Sequence, residues 1–243
     1  MKLQNKILLI TGWGVGIEPL QSLKLHLQQK GCEVQLINIF NILNNSVQKQ
    51  LHLLNDIDTV IGWSLGGQLA TQLVDSFYKS TGLTKTLITL ASNPCFVANS
   101  TWQTAMPADV FDLFKQSFLQ NPEATLKRFY YLITQGSAQA KQDWLNMQNI
   151  ANPPPYELLL EGLEMLEHLN LVDNLKNYSG PQLHLFAEQD SVIPCKIVEN
   201  FEYIATEKMR YKLLNDATHA FPYLQVERTI EEICQFLTIH QQS

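Results

Sequence analysis

Gly62-Trp63-Ser64-Leu65-Gly66-Gly67 reads G-x-S-x-G-G, with the short apolar run Thr59-Val60-Ile61 before it and a helix-like segment over residues 68–78 after it. A serine on a sharp turn between strand and helix projects its hydroxyl above the sheet edge. Glycines on either side let the backbone make that turn without a Cβ clash, and the arrangement is a nucleophile elbow. The other reading of the same residues is a glycine-rich strand-to-helix loop that carries an ordinary serine. Both readings place a strand, a tight turn and a helix in succession, the unit from which a parallel α/β sheet is built.

Working outward, Lys6-Ile7-Leu8-Leu9-Ile10 is a continuous apolar run of strand length, as expected for a strand covered on both faces. It enters Thr11-Gly12-Trp13-Gly14-Val15-Gly16. A dinucleotide reading of these glycines has little support, because the spacing is not G-x-G-x-x-G and the second strand ends Asn38-Ile39-Phe40 without an acid. Residues 19–29 form an amphipathic helix through Leu20, Leu23, Leu25 and Leu27, stopped by Gly31; residues 32–39 are a second strand and 46–54 are helical. Beyond the elbow helix, Thr86-Leu87-Ile88-Thr89-Leu90 is a further buried strand.

The rhythm then changes. Over residues 107–171 there is no strand pattern, only helical stripes: Val110, Phe111, Phe114 and Phe118; Leu126, Phe129, Tyr130 and Ile133; Leu159, Leu163 and Leu166. Asn152-Pro153-Pro154-Pro155 separates two of these helices. The sheet resumes at Gln182-Leu183-His184-Leu185-Phe186, with a helix start at Ile193-Pro194, a last strand at Tyr211-Lys212-Leu213-Leu214, and a terminal helix from Pro222 that buries Ile230, Ile233 and Phe236. The expectation is an α/β fold, a mostly parallel sheet flanked by helices. Its core is 1–96 and 172–243, and 97–171 is an inserted helical unit.

A chain of 243 residues, 45% hydrophobic, can bury one substantial core. Its formal net charge of -6 argues against a general nucleic-acid surface, since phosphate backbones are held by lysine and arginine. Cys32, Cys95, Cys195 and Cys234 form no C-x-x-C pair, which disfavours zinc and redox motifs and suggests reduced, mostly buried thiols. No apolar stretch has the length of a signal-peptide core or a membrane span, so the expected location is the cytoplasm. No cofactor or metal is implied.

A serine hydroxyl attacks well only when a neighbouring base takes its proton and a third group holds that base in the right tautomer. In elbow enzymes the order is Ser, then Asp or Glu, then His, each in a loop after a strand. Ser64, Asp190 and His219 satisfy order and placement. His26, His52 and His168 fall in helical stretches, His184 lies mid-strand and His240 is in the tail. Asp173 ends the helical insertion, Asp216 is too close to His219 in the same loop, and Asp190 could alternatively cap the turn before Val192. Two backbone donors are needed for the tetrahedral oxyanion: Leu65 N–H, after the nucleophile, and Trp13 N–H, in the first glycine-rich loop. The Trp13 indole can also line the pocket mouth.

Gly12-Trp13-Gly14, Gly62-Trp63-Ser64-Leu65-Gly66-Gly67, Ala91-Ser92-Asn93-Pro94-Cys95-Phe96, Arg128-Phe129, Gly162-Leu163-Glu164-Met165-Leu166 and His219-Ala220 together resemble the biotin-pathway carboxylesterases of the α/β-hydrolase superfamily, which act on pimeloyl-[acyl-carrier protein] methyl ester. The resemblance runs over nearly the whole chain. It implies a helical lid that carries the acyl pocket, with Trp13, Ser64, Leu65 and His219 joined by Phe129, Tyr130, Tyr131, Leu132 and Ile133 as substrate-binding residues. It also implies an acidic carrier protein as partner, met by Lys127, Arg128 and Lys141, and a monomer that accepts small esters too. By themselves those cations read rather as a solvated helix face.

The chain departs from the pattern at Thr11, where relatives usually have histidine, and at Ala124 and Leu145, where a basic residue is expected. It also starts close to its first buried strand, so the antiparallel strand that usually opens the fold is expected to be missing or shortened. Rival readings are a short-chain carboxylesterase or thioesterase, a menaquinone-pathway lyase, and a non-catalytic ligand-binding module on the same fold.

Overall fold

The computed structural model describes residues 3–43 and 46–240. Six strands form one sheet in the order β2-β1-β3-β4-β5-β6: β1 Lys6–Ile10, β2 Glu33–Ile37, β3 Thr59–Trp63, β4 Thr86–Leu90, β5 Gln182–Ala187 and β6 Met209–Leu214. Every neighbouring pair is parallel. The burial patterns follow position in the sheet. β3 and β5 are buried at every residue and β1 and β4 at all but the first, whereas the outer strands β2 and β6 mix buried and exposed positions. Interior parallel strands covered on both faces need continuous apolar runs, and these were the strands most readable as such. Among the described residues β2 pairs on one side only, with β1.

Helices α1 (Gln21–Gln29) and α10 (Val226–His240) pack together, as do α2 (Leu65–Thr81), the 3-10 helix Ser46–Leu54 and, further on, α7 (Val172–Asn177). Between β4 and α7 lie four helices, α3 (Ala108–Gln120), α4 (Pro122–Thr134), α5 (Ala140–Ile150) and α6 (Tyr156–His168). Proline stands just before or at the start of three of them, at Pro107, Pro122 and Pro155, where a missing N–H costs nothing. Asn121 adds a side-chain cap to α4 by accepting from Ala124 N–H at 3.1 Å. The chain leaves and re-enters the sheet region at one seam: Cys95 and Asn170 form an isolated antiparallel bridge, and Leu171 N–H donates to the Pro94 carbonyl at 2.9 Å.

Several expectations need correction. Helix α5 carried no recognisable stripe, since Met147 alone is fully buried on it. The helix expected at Pro194 is α8 (Ile197–Ile204), because residues 191–196 are taken up by a turn that Asp190 caps. The terminal helix is broken into α9 (Phe221–Leu224) and α10 at Gln225, whose side chain donates back to the Asp216 carbonyl at 2.8 Å. His240 is the last residue of α10 rather than part of a tail. All four cysteines are free, but only Cys32 and Cys95 are buried; Cys234 is half-buried and Cys195 exposed, in the turn before α8. Burial pushes the Cys32 thiol up to about 11, which keeps it protonated and inert.

Candidate active site

β3 delivers Ser64 into a backbone conformation that side chains rarely adopt, φ 55° and ψ -121°. Such a conformation costs on the order of 1–3 kcal/mol and persists only where the surroundings hold it. Here Ser64 N–H donates to the Leu90 carbonyl and its own carbonyl accepts from Gly67 N–H, both at 2.9 Å. The neighbouring glycines are required sterically. A Cβ on Gly62 would lie 2.0 Å from the Gly66 carbonyl oxygen, and one on Gly66 would lie 2.3 Å from that of Thr11. The elbow reading of the motif is therefore the one the backbone adopts, and Leu65, the first residue of α2, presents an N–H that the helix cannot bond internally.

Asp190 and His219 stand in the loops after β5 and β6. His219 Nδ1 lies 2.8 Å from Asp190 Oδ2, with both side chains all but fully buried. Asp190 Oδ1 accepts from the N–H groups of Val192 and Ile193, each at 2.8 Å. The carboxylate thus caps its turn with one oxygen and faces the imidazole with the other. A carboxylate can only accept, so Nδ1 carries the proton and the Nε2 lone pair is left free. Nε2 is buried and has no hydrogen-bond partner among the described residues. The loop that carries His219 is held by the Trp63 indole N–H, which donates to the His219 carbonyl at 2.9 Å. Trp63 was an unassigned position of the motif, and no sequence signal pointed to this bond.

The competing groups lie elsewhere. His184 is buried in β5 with Nδ1 2.7 Å from Thr89 Oγ1; His26, His52 and His168 each bond a backbone carbonyl of their own helix. Asp173 is in the first turn of α7, and the Asp216 backbone N–H donates to Glu188.

Ser64 is the one hydroxyl on a cavity of about 430 Å³ of empty space, part of it open, whose walls are otherwise apolar. Trp13, Phe96, Phe111, Phe114, Phe129 and Leu132 line it. The Trp13 ring meets Phe114, Phe118 and Phe129 edge to face at 5.1–5.4 Å, and its N–H donates to the Leu159 carbonyl at 2.8 Å. Its polar atom is thereby satisfied inside an apolar wall. Phe111 and Phe114 belong to the helical stripe that also contains Phe118, so one helix face both packs and lines. Of the five residues expected to line the acyl site from α4, Phe129 and Leu132 do so. Tyr131 does not: it lies on the opposite side of the helix, 43% exposed, with its ring against Trp144. Tyr130 and Ile133 are buried and bond to loops instead, Tyr130 OH to the Gly14 carbonyl at 2.8 Å and the Ile133 carbonyl to Ala220 N–H at 2.9 Å.

On the outer face of α4 and α5, Lys127 is paired with Glu123 at 2.7 Å. Arg128 and Lys141 are exposed and pair with no carboxylate among the described residues. Ala124 and Leu145 are exposed on the same helices, so no cation replaces the two missing ones at those positions. Among the described residues no cluster of His, Cys, Asp and Glu could hold a metal, and no helix is long and apolar enough to cross a membrane.

A parallel sheet with an elbow serine after its third strand and a buried acid–histidine pair after its last two defines an α/β-hydrolase. The esterase of Exiguobacterium antarcticum has this fold, superposing with a TM-score of 0.79 over 98% of this chain and 93% of its own at 15% identity. No family model matches the chain. Among curated proteins, the pimeloyl-[acyl-carrier protein] methyl ester esterase of Vibrio cholerae is 31% identical over 181 residues, 73% of this chain and 69% of the relative. The protein of the same name from Photobacterium profundum is 29% identical over 246 residues, covering 96% of this chain and 94% of its own length. The chain belongs to the pimeloyl-[acyl-carrier protein] methyl ester esterase family.

Proposed function

We propose that this protein is a serine carboxylesterase that hydrolyses the methyl ester of pimeloyl-[acyl-carrier protein] in biotin biosynthesis. Ser64 Oγ attacks the ester carbonyl while His219 Nε2 takes its proton. Asp190 holds the imidazole and stabilises the imidazolium that forms. The N–H groups of Trp13 and Leu65 receive the oxyanion, a contribution worth roughly 3 kcal/mol per donor. Collapse of the intermediate breaks the ester C–O bond, and His219 returns the proton to the leaving methoxide, which departs as methanol. Water, deprotonated by the same histidine, then attacks the acyl-enzyme and releases the carboxylate and Ser64.

The observation that carries this reading is the buried Asp190–His219 pair, whose Nε2 has no partner among the described residues, beside an apolar cavity on which the elbow serine is the only hydroxyl among those residues. Residues 97–171 act as the lid that supplies the acyl pocket. The carrier protein is acidic and approaches the outer face of α4 and α5, with Arg128 and Lys141 as its free cations and Lys127 a weaker one. The protein works as a monomer in the cytoplasm and also accepts small esters.

The test combines chemistry and genetics. A fluorophosphonate probe should label the wild type and not Ser64→Ala, and the wild type should hydrolyse pimeloyl methyl ester. A strain that needs biotin because it lacks this esterase should be rescued by wild type and not by Ser64→Ala. Esterase activity without rescue would remove the biotin assignment, and equal probe labelling of both forms would remove the catalytic one.

A further inference from the structure

Helix α4 touches both sides of the site with hydrogen bonds that the acyl cavity does not use. The Tyr130 hydroxyl donates to the Gly14 carbonyl, one residue from Trp13, and one turn later the Ile133 carbonyl accepts from Ala220 N–H, one residue from His219. Gly14 sits at φ +79°, where a Cβ would meet Leu126 at 3.1 Å, so the helix closes down on this turn. The same loop is bonded further to the helical insertion, through Trp13 Nε1 to the Leu159 carbonyl and Asn152 N–H to the Val15 carbonyl. Loop 12–16 is outside the strands, so these bonds, with its contacts to the elbow, decide where its peptide groups point.

We propose that Tyr130 is a positioning residue for the oxyanion hole: its hydroxyl fixes the Gly14 carbonyl and, through that turn, the direction of the Trp13 N–H two peptide units upstream. This rests on the serine esterase reading above. An oxyanion donor works only when held about 2.7–3.1 Å from the oxygen it will bind, so small rotations of the loop peptides matter. A buried carbonyl that loses its partner is left with its desolvation uncompensated, which drives the turn to readjust. Burial pushes the Tyr130 phenol up to about 12, so it stays a donor throughout the working range of an esterase. Its ring is buried against Phe129 and it does not line the cavity, which separates its role from that of Phe129.

Tyr130→Phe keeps the ring and removes the bond. With p-nitrophenyl butyrate, kcat should fall roughly ten-fold, the rate equivalent of one lost neutral hydrogen bond, while KM stays within about two-fold. Affinity for a boronic acid that forms a tetrahedral adduct with Ser64 should fall by a similar factor, with binding of the product acid unchanged and the midpoint of the pH profile unmoved. Thr134→Val is the control for stability alone, because the Thr134 hydroxyl bonds only to carbonyls of its own helix, at Tyr130 and Tyr131. It should lower Tm and leave kcat intact. Wild-type kcat in Tyr130→Phe, or a loss that appears in KM and varies with acyl length, would overturn the proposal. If Ser64→Ala retained wild-type turnover, the esterase reading itself would fail, whatever Tyr130→Phe does.

Discussion

Gly12 faces Ser64 so closely that a methyl group on Gly12 would lie 3.2 Å from the serine Cβ and 3.4 Å from the Trp63 carbonyl oxygen. The loop after β1 and the elbow after β3 are thus set against each other without slack. Gly12→Ala should part them by a few tenths of an ångström, which lowers kcat roughly ten- to a hundred-fold because catalytic geometry is sensitive on that scale. The fold should survive, since the strain is small and local. Steady-state kinetics beside a thermal melt would check this, and wild-type kcat would show that the two loops have slack.

Asp190→Asn should be far more damaging than its size suggests. Oδ1 of Asp190 is held by the N–H groups of Val192 and Ile193, so an asparagine would keep its oxygen there and turn its NH2 toward His219. That donor opposes the Nδ1 proton and selects the tautomer protonated at Nε2, which cannot accept from serine. A fall in kcat of about 10⁴ is expected, with KM and folding little changed. A loss of only a few-fold would mean that His219 takes its orientation from elsewhere.

His184 makes the fold itself acid-sensitive. Burial pushes this imidazole down from its ordinary 6.5 to about 3, while the unfolded chain would protonate near 6.5. Between these values the unfolded state binds a proton that the folded state refuses. The stability that this residue contributes is complete above pH 6.5 and drains away as pH falls toward 3. The slope from this one group is at most about 1.4 kcal/mol per pH unit. Urea titrations at several pH values should show the wild type losing stability more steeply than His184→Gln as pH falls, and parallel lines would refute the assignment.

If the carrier protein docks on α4 and α5, Arg128→Glu with Lys141→Glu should lower kcat/KM for the carrier-borne ester and leave p-nitrophenyl butyrate unaffected. Lys127→Glu should matter less, because Glu123 already engages that ammonium. The defect should narrow as salt is raised, since exposed charges are screened. An equal loss on both substrates would place the cations in folding or catalysis instead of docking.

The sequence made the interior of the sheet readable because β1, β3, β4 and β5 are covered on both faces and therefore written as apolar runs. The order of Ser64, Asp190 and His219 was equally legible, since each stands just past a strand. Less visible was whatever depends on tertiary bonding. Helix α5 buries a single full side chain and shows no stripe; the start of α8 is displaced because the Asp190 carboxylate holds the preceding turn; Gln225 breaks the last helix by reaching back to Asp216. Tyr130 and Tyr131 sit side by side in a segment expected to line the acyl site. Helical geometry sends one inward to a loop carbonyl and the other out to Trp144.

The bridge between Cys95 and Asn170 holds the two ends of the helical segment side by side. The sheet meets the whole intervening segment as it would a single tight loop, with a fixed gap between its ends whatever is carried in between. Replacement of that segment is therefore expected to reshape the apolar cavity, while Ser64, Asp190 and His219 stay at the turns just past β3, β5 and β6, strands whose register the exchange leaves alone. The constraint on any replacement is set at residues 13–15: the new segment must bring its own partners for the Gly14 and Val15 carbonyls and the Trp13 indole, or it will fit the sheet and leave that loop without them.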